Sequence, residues 1–97
     1  MSKYDVYETS DGYLVDVQAD ILSQLNLRVV IPLMTPDKAP APARRLNPSF
    51  QINNQEFILV TQYLGSVPTK DLTKPIANLS DQFAEITNAL DMLFQGF

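Results

Sequence analysis

Two neighbouring runs, Gly12 to Leu22 and Arg28 to Leu33, constrain this 97-residue chain more than any other feature. Arg28, Val29, Val30, Ile31, Pro32 and Leu33 are β-branched or apolar almost throughout. Pro32 removes a ladder donor, so the run reads as a buried strand that closes there. Its predecessor alternates: Tyr13, Val15 and Val17 fall on one face, and Leu14, Asp16 and Gln18 on the other. That is the pattern of a strand covered mainly on one side. The short connection between the runs carries the apolar residues Ile21 and Leu22. An Ile-Leu pair at a strand end is commonly core, so one of the two is expected inside and the other facing out.

The flanking sequence extends these runs into a meander. Tyr4 to Tyr7 reads as a short strand, and Ser10, Asp11 and Gly12 tolerate the tight turn that leads into Tyr13. Between Met34 and Pro48 the prolines at 36, 40, 42 and 48 stand among alanine, lysine and arginine, which predicts a long, mobile and poorly hydrogen-bonded loop. Phe50 and Ile52, then Asn53 and Asn54, then Phe57 to Thr61 read as a hairpin, because paired asparagines accept the positive φ angles of a two-residue turn. Leu64 to Pro68 adds a short edge strand, with Gly65 permitting a bend.

One helix is expected. Leu79 and Ser80 open it, with Ser80 as N-cap and Asp81 in the first turn, where the helix dipole favours an anion. Phe83, Ile86, Leu90 and Leu93 form its apolar stripe, and Asn88, Asp91 and Gln95 share the opposite face at i, i+3, i+7 spacing. A helix packed by one stripe on a layer of short strands gives a single domain over residues 1–97, mainly β, built as a small antiparallel barrel with a C-terminal helix.

Composition narrows the chemistry. The chain has no cysteine and no histidine, which removes disulfides, thiolate metal sites, the usual general base and the commonest metal ligand. Its carboxylates lack the spacing of a metal-binding loop, and Gly12, Gly65 and Gly96 are too isolated to cradle a phosphate, so no cofactor or metal is expected. Seven basic against eleven acidic residues leave a net charge of −4, which opposes tracking of a phosphate backbone and points to a protein partner rather than to nucleic acid. The N-terminus lacks a signal-peptide pattern and no apolar run reaches the roughly 18 residues of a membrane span, so the cytoplasm is the expected compartment.

Several pieces, in order along the chain, resemble the CcdB family of DNA gyrase poisons from toxin-antitoxin modules. They are Val15, Asp16, Val17 and Gln18 with Asp20 and Ile21; Val30 to Leu33; Ser66, Val67 and Pro68; Leu79 and Ser80; Ile86; Asn88 and Ala89; and Phe94 with Gly96. The resemblance implies an SH3-like barrel that acts as a homodimer and has no catalytic group of its own. It would bind the gyrase A subunit, trap the enzyme with its DNA cleaved, and be removed by a small CcdA-like antitoxin with a disordered segment. Carried over position by position, the gyrase contacts would be Gln95, Gly96 and Phe97 first, then Asn88 and Asp91 on the helix and Ile21 and Leu22 in the connection. Plasmid-type members carry tryptophan where Gln95 stands and isoleucine where Phe97 stands, so here one aromatic anchor is lost and another stands two residues further on.

Each of these residues also has a plainer reading. Phe97 would continue the buried stripe if the helix ran unbroken, yet Gly96 commonly ends the α conformation and frees its direction. Asp91 opposes the helix dipole by about 0.3 to 1 kcal/mol, either screened by water or awaiting a cationic partner. Arg28 would be catalytic only in a MazF-like endoribonuclease, the rival reading; beside a buried strand it is expected to pair with Asp16 or Asp20. Arg44 and Arg45 are expected to be solvated. A third reading is a drifted CcdB-like protein that binds antitoxin but does not poison gyrase.

Overall fold

A computed structural model describes residues 1–10 and 12–96. Seven strands and one α-helix follow one another as β1 (Asp5–Thr9), β2 (Gly12–Asp16), β3 (Leu27–Met34), β4 (Ser49–Ile52), β5 (Gln55–Leu59), β6 (Gly65–Pro68), β7 (Pro75–Asn78) and α1 (Phe83–Gln95). The order across the sheet is β4-β5-β3-β2-β1-β7, with β6 also on β3, and every pairing is antiparallel. β4 and β7 are the outer strands of a curled half-barrel, so the expected mainly-β architecture with one C-terminal helix holds.

β3 organises the sheet. One edge pairs with β2 in the register Tyr13↔Leu33 to Asp16↔Val30. The other edge is divided: Leu27 to Val30 face β6, and Leu33 and Met34 face β5. Pro32 stands in the gap between these two partners and does not close the strand. Its carbonyl accepts the Val60 N–H at 3.0 Å, on the side away from β2. In an extended strand a residue's nitrogen points to the same side as its carbonyl, so the missing donor costs no β2–β3 bond.

The turns follow their residue chemistry. Thr9 pairs with Gly12, so the chain reverses between them, and Gly12 lies at φ 140°, in a region where an L side chain is strained. Asp11, expected in this turn, lies outside the described residues. Asn53 and Asn54, at φ 53° and 68°, join β4 to β5 as the two-residue turn requires.

The principal core lies between the sheet and α1. Val6, Val15, Val17, Ile31 and Leu33 from the central strands meet Phe50, Ile52, Phe57 and Leu59, with Leu79, Ile86 and Ala89 closing over them. Tyr13 packs edge-on against Phe57, ring centres 4.9 Å apart. A smaller cluster of Tyr7, Val30 and Leu72 occupies the other face, so the sheet is buried on both sides at its centre. Asp16 and Gln18, expected on an open face, are therefore buried.

Four further expectations need correction, and one strand carries no signal in the sequence. Tyr4 is not a strand residue: it sits at φ 74°, donating to the Asp16 carbonyl and accepting from Leu79 N–H, and β1 starts after it. The segment from Met34 to Pro48 is a loop, but a hydrogen-bonded one. Thr35 accepts from the N–H groups of Lys38 and Ala39, and its side chain holds the Asp37 carboxyl below the usual range. At the far end the Asn47 amide group donates to Leu59 O at 2.9 Å and to Gln62 Oε1 at 2.8 Å, and accepts from Ala43 N–H at 2.9 Å. Ser80 does not cap α1 through its side chain. It begins a 3-10 turn, Ser80–Gln82, and its own N–H donates to Asn78 Oδ1 at 2.8 Å. Phe83 is 57% exposed; the side that faces the core carries Ile86 and Ala89, with Leu90 and Leu93 half-buried beside them. Finally, β7 had no strand signal in the sequence, yet it covers the free edge of β1.

Tyr7 supplies a pH dependence. Burial raises its phenol pKa above the ordinary value, reinforced by the negative charges of Asp5 and Asp16, with Arg28 acting in the opposite direction. A raised native pKa means that the native state holds its proton where the unfolded state has lost it. Stability is thus full below about pH 10 and declines as the pH rises beyond that. Among the described residues no hydrogen bond of ordinary geometry is made by the Tyr7 hydroxyl, and its polar interaction is with the Asp5 carboxyl, so Tyr7→Phe should fold well and flatten this alkaline decline. Urea unfolding of both proteins between pH 8 and 11 checks this; parallel declines would contradict it.

Candidate functional site

Among the described residues, the connection between β2 and β3 carries the most exposed large apolar side chain. After β2 the chain keeps sheet contact for one more bond, Val17 N–H to Val29 O at 3.0 Å, and then forms a 3-10 turn, Asp20–Leu22. Ile21 is 89% exposed, and Leu22, Leu25 and Leu27 are about half exposed. Both members of the Ile-Leu pair therefore face out, where one was expected inside. Nothing in the turn is buried, and its shape is set locally by Leu22 N–H to Ala19 O, Ser23 N–H to Asp20 O and Leu25 N–H to Leu22 O.

Polar groups tie this turn to the body. Asp20 Oδ1 accepts the Lys3 N–H at 2.8 Å, which takes Asp20 away from Arg28. Arg28 and Asp16 are both fully buried and form an ion pair, with Arg28 Nε 2.9 Å from Asp16 Oδ2 and Nη2 bonded to the same oxygen. The other carboxylate oxygen accepts Gln18 N–H at 2.9 Å. The ion-pair expectation for Arg28 is met, with Asp16 as the partner. Arg44 and Arg45 are exposed in the loop.

The second set of candidate residues is on α1. Asn88 and Gln95 are exposed as expected, whereas Asp91 is half-buried, so the polar ridge is interrupted at its middle. Phe94, 69% exposed, stands beside Gln95 and is the large apolar side chain this end of the helix presents. Phe94 is not among the contacts expected from the sequence, although Leu93 and Phe94, adjacent in sequence, cannot both face the core. Gly96 takes the left-handed conformation, φ 81°, and its N–H donates to Met92 O at 3.0 Å, ending the helix as anticipated. Phe97 lies outside the described residues. The last turn has no basic residue, so the carbonyl end of the helix is left negative beside Asp91.

These two sets stand on separate elements, and among the described residues no hydrogen bond or ion pair joins them. An open cleft of about 540 Å³ lies at the other end of the β2–β3 pair, bordered by Glu8, Tyr13, Met34, Thr35, Lys38 and Phe57. Among the described residues no cluster of three acidic groups could hold a metal ion, and no helix is long and apolar enough to cross a membrane.

A curled antiparallel sheet centred on one doubly paired strand, closed by a single C-terminal helix, defines the class as a mainly-β half-barrel. Within that class the relationship is specific. The family model described as CcdB protein matches residues 3–96, and the chain belongs to the CcdB family.

Proposed function

We propose that this protein is the toxin of a toxin-antitoxin module, which binds the DNA gyrase A subunit and holds the cleaved gyrase-DNA complex. The observation that carries this reading is Ile21, 89% exposed with Leu22 beside it, in a chain that matches the CcdB family over residues 3–96. An apolar side chain so far out of the core adds nothing to folding and is suited to a partner's pocket. Ile21, Leu22, Asn88, Asp91, Gln95, Gly96 and Phe97 are the contacts, with Phe94 presented beside Gln95. The bond-breaking chemistry belongs to gyrase, so the protein needs no catalytic group. A CcdA-like antitoxin is its partner and the cytoplasm its place of action. The ribonuclease alternative loses its main candidate, because Arg28 is fully buried and held by Asp16, out of reach of an RNA phosphate.

The working unit is a homodimer. Phe83, Ile76 and Phe94 are exposed, and a small chain gains stability by covering such side chains. Light scattering at micromolar concentration should give about twice the 10.9 kDa chain mass, and a stable monomer would contradict the dimer. Expression in cells should induce a DNA-damage response before any loss of messenger RNA. Cleavage of RNA by the pure protein would overturn the gyrase reading, and antitoxin binding without any DNA damage would mark the drifted form.

A further inference from the structure

We infer that Gln18 is a positioning residue for target binding, holding the turn that displays Ile21 and Leu22; this rests on the gyrase reading above. Gln18 is 5% exposed, and its side-chain amide group is used at both ends. Nε2 donates to the Leu22 carbonyl at 2.8 Å, and Oε1 accepts the Val29 N–H of β3 at 3.1 Å. Its backbone N–H is bound in turn by Asp16, whose other oxygen is clamped by Arg28. A continuous polar chain thus runs from the buried ion pair through Gln18 to the carbonyl of a residue in the exposed turn.

This chain does work that apolar packing cannot do at this place. The turn buries none of its residues; Lys3 N–H holds its start at Asp20 and Thr69 holds the chain beyond it at Leu25 and Asn26, so the Gln18 bond is the tie at Leu22 itself, where the 3-10 geometry alone is weak. Pulling Ile21 or Leu22 inward would fix the turn but remove the side chains it offers. Anchoring a backbone carbonyl instead leaves both side chains outside in a fixed direction. A contact fixed before binding loses less conformational freedom on association, so the expected benefit is in affinity for the partner.

A double-mutant cycle separates positioning from general support of the fold. Affinity for the isolated gyrase A subunit would be measured for the full chain, Gln18→Met, Ile21→Ala and the double variant, each corrected for its folded fraction. Gln18→Met should lower affinity about tenfold in the parent and less than twofold when Ile21 is already alanine. Equal factors in both backgrounds, or no loss in either, would overturn the inference. An Ile21→Ala variant with parental affinity would instead refute the gyrase-contact reading on which the inference depends. Gln18→Glu, which keeps the acceptor for Val29 N–H, covers the case in which Gln18→Met does not fold. A second readout needs no partner: exchange of the Leu25 amide hydrogen should speed up several-fold in either variant, while that of Ile31 stays as in the parent. Unchanged exchange at Leu25 would also overturn the inference.

Discussion

Arg28→Ala should destabilise the protein by about 3 to 5 kcal/mol, because it leaves the Asp16 carboxylate buried with no opposite charge. Both side chains are fully buried, so water cannot take over the lost role. For a domain of this size each kcal/mol moves the melting temperature by about 4 to 8 °C, which puts the expected fall above ten degrees. A pair of apolar residues of similar shape, Asp16→Leu with Arg28→Met, should recover much of the loss, since the ion pair itself repays little more than its desolvation. Thermal unfolding of the three proteins checks this. A fall of only a few degrees for Arg28→Ala would show that the pair is not closed off from water.

Ile21→Asp has the opposite profile. The side chain is almost wholly exposed and the position lies in a turn, so stability should stay within about 0.5 kcal/mol of the parent. Under the proposed gyrase reading, a charge placed at this exposed apolar position should cost at least about 2 kcal/mol of binding, or roughly thirty-fold in affinity for gyrase A. Calorimetric titration with the gyrase A subunit, paired with a melting curve, gives both numbers. Weak binding joined to a large loss of stability would return Ile21 to the core, and unchanged binding would remove it from the contact surface.

The contrast between these two variants reflects what was legible in the sequence. The alternation from Tyr13 to Val17, the β-branched run after Arg28 and the paired asparagines are local signals, and each marks the element it announces. β7 gave no such signal, because it is four residues opened by a proline and exists only because β1 has a free edge. The helical wheel placed Phe83 in the core, but a wheel knows only angle. The turn before it is 3-10, and the core lies under Ile86 and Ala89 instead. Asp16 and Gln18 read as solvent-facing because they are polar on the alternate face, whereas Arg28 on the neighbouring strand and the cluster around Tyr7 bury them.

The candidate site was legible to a different degree. An Ile-Leu pair in a short connection can point either way, and only tertiary structure shows that no layer covers it. Asn88 and Gln95 followed from helical spacing, while half-burial of Asp91 depends on what packs beside α1 and not on the helix itself. Gly96 announced the helix end because only a residue without a side chain takes its left-handed conformation freely.

The most direct test of the gyrase reading is a cleavage assay with purified gyrase, supercoiled plasmid and this protein, stopped with detergent. Linear DNA should accumulate with the parent protein only when gyrase is present, and should fall sharply with Ile21→Asp at the same concentration of folded protein. No linear DNA at saturating parent protein, or equal amounts with Ile21→Asp, would contradict the account.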